Sequence, residues 1–139
     1  MRLSLFLISA LGLLSGCKKE EAASSIQNTR WMLVQVEDFA IGLSSYSPAF
    51  NSYVQFSADN KTNGLAPCNS FGGTYASGSG TQLRVSVQAS TRATCAAQSI
   101  EDRYLSALPR TVRYELSGQE LRLFDAATAA PILVFRAAE

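Results

Sequence analysis

The chain of 139 residues contains no histidine. That removes Ser-His-Asp and Cys-His nucleophile systems, and imidazole metal sites with them. Its three cysteines include no Cys-x-x-Cys pair, so the common zinc and dithiol redox arrangements are missing too. The uncharged, mainly apolar run over residues 3–14 falls short of the roughly 20 residues that a membrane-spanning helix needs. Charge of one sign is also lacking. The chain has 12 basic and 11 acidic residues, and the basic ones beyond Lys18-Lys19 stand singly, so nothing favours nucleic acid or an anionic surface. Gly72-Gly73 and Gly78-Ser79-Gly80 lack the Lys-Ser/Thr ending of a phosphate loop and read as turns and tight strand packing. Glu37-Asp38 and Glu101-Asp102 are sequence neighbours, which point to different sides of a strand or helix and make no catalytic dyad. There is no internal repeat. The reading is a chain that is not an enzyme, with no cofactor and no metal.

What is present begins at the N-terminus. Arg2, an apolar stretch and then Leu14-Ser15-Gly16-Cys17 have the layout of an export signal. The small pair before Cys17 resembles the lipobox of bacterial lipoproteins. That resemblance implies cleavage of residues 1–16 as a signal peptide and fatty acylation of Cys17, of the palmitate kind, on its thiol and new amine. Several acyl chains anchor stably where one binds only marginally. Lys18 after the cysteine resembles outer-membrane sorting in Gram-negative lipoproteins. The expected location is therefore the cell envelope, at the outer membrane and facing the periplasm. Residues 17–27 carry no large apolar side chain before Ile26 and read as a lipidated start and flexible tether. Residues 28–139 read as one domain, long enough for a real core.

An exported chain favours disulfides. Cys68 and Cys95 read as a structural pair on that ground, with a reactive thiol at Cys68 as the alternative.

From Arg30 onward the apolar residues mostly recur every second position, which predicts strands. Candidates are 31–36, 53–56, 83–87, with Leu83, Val85 and Val87 on one face, 112–116, 121–123 and 132–135. Asp59-Asn60 follows a strand and predicts a hairpin at 58–60, which leaves Gly64 as a bulge or close-packing point in the next strand. Residues 96–108 differ. Ala97, Ile100, Tyr104, Leu105 and Leu108 fall at helical spacing, Ser99 is a candidate cap with Asp102 three residues on, and Pro109 marks the stop. Glu101, Asp102 and Arg103 read as the solvated side of that helix. The fold class is α+β: an antiparallel, strongly curved or cracked β-barrel-like sheet with one helix.

Trp31, Phe56 and Gly64, then Cys68-Asn69-x-Phe71-x-Gly73-x-Tyr75, then Thr91-Arg92-x-x-Cys95, then a helix ending at Leu108-Pro109, together resemble the META domain. That family includes HslJ-type heat-inducible lipoproteins. The likeness runs over roughly residues 28–137, with Pro67 standing where the family often has a small residue. It implies the cracked-barrel fold, an architecture also reported for secretin pilot lipoproteins. It also implies roles in envelope stress, drug tolerance and secretion without a defined chemistry.

Asn69 and Arg92, beside the two cysteines, are the candidate binding patch. Each has a structural alternative: Asn69 satisfying backbone groups in the bend, Arg92 pairing with a carboxylate or capping carbonyls. Trp31 and Tyr75 read as core aromatics before ligand stackers. The expected function is a lipid-anchored envelope protein, attached to the membrane through its N-terminal lipid. Its non-catalytic domain binds or stabilises an envelope protein or lipid, in a stress-response setting. The alternative is a secretin-pilot-like lipoprotein carrying a lipid or peptide in an apolar groove. Nothing points to nucleic acid.

Overall fold

The computed structural model describes residues 25–41 and 52–138. The expected signal peptide, the expected lipidation point Cys17 and most of the expected tether lie outside the described residues.

Ten strands form one antiparallel sheet among these residues: β1 (Arg30–Val36), β2 (Phe39–Ala40), β3 (Tyr53–Phe56), β4 (Lys61–Leu65), β5 (Ser70–Ser77), β6 (Leu83–Val85), β7 (Ala89–Ser90), β8 (Arg113–Ser117), β9 (Glu120–Phe124) and β10 (Leu133–Ala137). A helix, α1 (Gln98–Ala107), and a 3₁₀ turn (Leu108–Arg110) stand between β7 and β8. The sheet runs β6-β5-β4-β3-β1-β10-β9-β8, with β2 on β1 and β7 on β5. Its two ends meet. Gln82 bridges Arg113, the Leu83 N–H donates to the Val112 carbonyl at 3.2 Å, and the Tyr114 N–H donates to the Thr81 carbonyl at 3.0 Å. The result is a nearly closed barrel, which leaves little exposed sheet edge.

Alternation fills the interior. Trp31 and Leu33 of β1, Val54 and Phe56 of β3, Leu121 and Leu123 of β9, and Leu133 and Phe135 of β10 all turn inward and are buried. The helix adds Tyr104, fully buried, whose ring meets Phe71 of β5 at 5.6 Å and Phe135 of β10 at 6.1 Å. The β3–β4 hairpin turns at Asn60, whose φ is 64°, and is closed by the Ser57 N–H donating to Lys61. Gly64 is the close-packing point: a Cβ there would overlap the Phe71 ring and the Tyr53 carbonyl.

Four expectations shift. The domain starts before residue 28, because Ile26 is buried and its carbonyl accepts the Trp31 indole N–H at 2.9 Å. Strand β6 ends at Val85, and Val87 is 80% exposed. Gln88 folds back over β5 to accept from the Thr62 hydroxyl, across a space that a Cβ on Gly73 would fill, and this displaces Val87 outward. The helix begins without a side-chain cap, at Ala97 rather than Ser99. Lastly, Glu101 belongs to the buried face and not the solvated one, at 2% exposure.

Candidate functional site

The site grows from the bend between β4 and β5. The Ala66 N–H donates to the Asn69 carbonyl at 2.8 Å and turns the chain through Pro67-Cys68. Cys68 is joined to Cys95, with Cα atoms 5.6 Å apart, so this bend is tied to the segment that enters α1. One turn into the helix, the Glu101 carboxylate reaches the same bend. Its Oε2 accepts from the Cys68 N–H at 2.7 Å and the Asn69 N–H at 2.9 Å, while Oε1 accepts from the Asn69 side-chain amide. Burial makes this arrangement demanding, since a buried carboxylate is tolerated only when its lone pairs are filled.

Asn69 then carries the linkage outward. Its Oδ1 accepts from the Thr91 hydroxyl at 2.8 Å and the Ala93 N–H at 2.7 Å, and its Nδ2 donates to the Ala93 carbonyl at 2.8 Å. Two ties thus fix the segment from β7 to Cys95, the disulfide and the Asn69 side chain, and Glu101 holds Asn69 itself in place. Between this segment and α1 lies an open groove of about 500 Å³, lined by residues 88–94 on one side and by Gln98, Asp102 and Leu105 on the other, with buried Asn69 and Glu101 at its base. That volume lies within the range of ligand sites, about 300–1,000 Å³.

The two candidate patch residues occupy different roles in this groove. Asn69 is 3% exposed, with both its amide and carbonyl groups used internally. Arg92 is exposed and makes no hydrogen bond or ion pair among the described residues, so the carboxylate pairing expected of a structural arginine is not found there. Trp31 and Tyr75 are core groups: Tyr75 is 4% exposed, donates to the Ser57 carbonyl and packs edge-on against Phe56 at 5.1 Å. Sequence reading missed Glu101. The available signal was its spacing, since 101, 104, 105 and 108 follow the i, i+3, i+4, i+7 rule for one helix face.

The groove offers hydrogen-bonding recognition more than bond-making chemistry. Asp102 accepts from the Gln98 amide at 2.9 Å, and the neighbouring carboxylate of Glu101 is wholly engaged. Among the described residues no group of three Cys, Asp or Glu side chains is placed to hold a metal ion, and no helix is long and apolar enough to cross a membrane.

A second polar cluster ties the 3₁₀ turn to the barrel. Arg110 donates to Glu37 and to Asp125, each at 2.7 Å. The Arg110 guanidinium, helped by the N–H of Thr128, holds the Asp125 carboxyl down at about 2 from an ordinary 3.8. A depressed carboxyl stabilises the fold above its unfolded pKa and loses that contribution as pH falls through the folded one. Thermal melts of the wild type should therefore lose stability between pH 3.8 and about 2. Asp125→Asn should flatten that part of the profile, and an unchanged acid limb would contradict the assignment.

A META domain family model matches residues 24–139, which spans the barrel, the helix and the groove. No curated protein matches the chain. Among solved structures, the crystal structure of a DUF4847 family protein from Bacteroides vulgatus superposes with a TM-score of 0.55 at 13% identity, over 81% of this chain and 93% of that one. At that identity the likeness concerns the fold alone.

Proposed function

This chain belongs to the META domain family, and from that premise we propose that it is a lipid-anchored envelope protein whose META domain binds another envelope component, without catalysis, at the groove beside Cys68 and Cys95. The observation that carries the reading is the state of the 88–94 segment. It is mostly exposed, largely polar, and held in place from behind by the disulfide and by Asn69, which Glu101 fixes in turn. Loops fixed by a rigid scaffold are where recognition concentrates, and a fixed conformation lowers the entropy cost of binding. Arg92 stands on that segment with its charge unused.

Anchoring rests on Leu14-Ser15-Gly16-Cys17 and on the presence of a disulfide, which suits an oxidising compartment. Outer-membrane placement through Lys18, and a part in envelope stress, extend the same reading. The pilot-like alternative needs an unfilled apolar groove, whereas Trp31, Phe56, Tyr104 and Phe135 are fully buried in the interior; this favours the polar groove as the working surface. The META domain is not a known catalytic family, in keeping with a binding role.

The anchor is tested by Cys17→Ser in cells fed a clickable fatty acid. The variant should lose the label and move from the membrane to the soluble fraction. Label and membrane retention equal to wild type would remove Cys17 as the attachment point.

A further inference from the structure

The geometry points to a specific mode of binding at this groove: the segment from Ser90 to Arg92 accepts an extended segment of another polypeptide as an added β-strand. This deepens the binding reading above and rests on it. The main-chain groups of the segment divide between inward and outward partners. The Thr91 N–H donates to the Ser70 carbonyl at 3.1 Å. The Ala93 N–H and carbonyl are both taken by the Asn69 side chain. Ala89 stands opposite Gly72 in the β5–β7 ladder and Ser90 opposite Phe71.

In an antiparallel ladder, paired residues alternate between exchanging both hydrogen bonds and exchanging none. With Thr91 bonded to Ser70, Ala89 is the next bonded position. Ser90 and Arg92 then turn their N–H and C=O groups away from β5, and no hydrogen bond fills them among the described residues. Both residues line the groove. Two outward residues separated by one present donor, acceptor, donor and acceptor at about 7 Å spacing, the repeat of a strand. An extended polypeptide matches that pattern, and main-chain bonding of this kind is an established way to bind a peptide at a sheet edge.

The side chains around the edge supply specificity. Val87, 80% exposed, stands just before it and offers an apolar contact. Arg92 is positioned to take an acidic side chain of the incoming strand. Across the groove stand Gln98 and Asp102, polar side chains that suit donors and acceptors on the bound chain.

The test selects short linear peptides from a displayed random library on the full chain, then measures their affinity for variants. Ser90→Pro removes an N–H that bonds nothing in the fold, and proline is tolerated at strand edges. Its melting temperature should stay near that of wild type, while peptide affinity falls about tenfold or more. Thr91→Pro is the contrast, since it deletes the bond to Ser70 and should destabilise the domain. N-methylation of the selected peptides should weaken binding at alternate residues only. If Arg92→Ala and Gln98→Ala weaken the peptides but Ser90→Pro and N-methylation do not, the groove binds and strand addition is wrong. If no peptide is selected, or the peptides are indifferent to Ser90, Arg92 and Gln98 alike, both the mode and the groove are overturned.

Discussion

Glu101→Ala should cost about 3 kcal/mol or more of stability, because it removes a buried charged acceptor that serves three N–H donors at once. Two of the donors are the main-chain groups of Cys68 and Asn69 and the third is the Asn69 amide. Their loss leaves unsatisfied groups at a position only 3% exposed, and it also releases the tie between the helix and the Cys68-Asn69 bend. Domains are stable by about 5–15 kcal/mol in total, so the melting temperature should drop by about 10 °C or more. Glu101→Gln should rescue little. It keeps one acceptor oxygen but sets an amide N–H₂ against a donor. Calorimetry on the three proteins decides the matter, and a Glu101→Ala variant that melts with wild type would show that the carboxylate is not the keystone described.

Loss of the Cys68–Cys95 bond is the second large effect. The two residues are separated by 27 positions, and closing a loop of that length is worth roughly 3–4 kcal/mol in the chain-entropy treatment. Reduction, or Cys68→Ser with Cys95→Ser, should lower stability by that order. The effect should not add to that of Glu101→Ala, because both ties fasten the same bend to the entrance of α1 and residues in one network couple. Melts with and without reductant, on wild type and on Glu101→Ala, measure this directly. Peptide mapping under non-reducing conditions should recover the linked pair, and two free thiols in protein isolated from cells without reductant would contradict it.

Much of the barrel was legible because strands reveal themselves locally. Alternation at 31–36, 53–56 and 121–123 marks inward positions that the structure fills with Trp31, Phe56 and Leu121. Asp59-Asn60 and Gly64 gave turn and contact through backbone chemistry alone. The less legible parts depend on distant partners. β5 is rich in Gly, Ser and Thr, so its inward residues Phe71 and Tyr75 stood out as a motif before they stood out as a strand. β7 is two residues long and exists through its pairing with β5. Closure of the sheet at Gln82 and Arg113 joins segments that no local pattern connects. In the site, Cys68, Asn69 and Cys95 were visible as a cluster. Glu101 was hidden by the rule that charges face water, a rule that fails when a bend supplies enough N–H donors to fill a buried carboxylate.

The groove beside the disulfide, proposed as a recognition surface, has a rigid base and a free outer edge. Arg92 separates those two parts, because it lies on the groove and holds nothing else among the described residues. The most direct measurement is therefore Arg92→Ala in the full chain, with melting temperature and co-purification of the proposed binding partner recorded on the same preparation. The melting temperature should stay close to that of wild type while the partner is clearly lost. A marked loss of stability with partner binding intact would make Arg92 part of the scaffold and rule out the groove as the recognition surface.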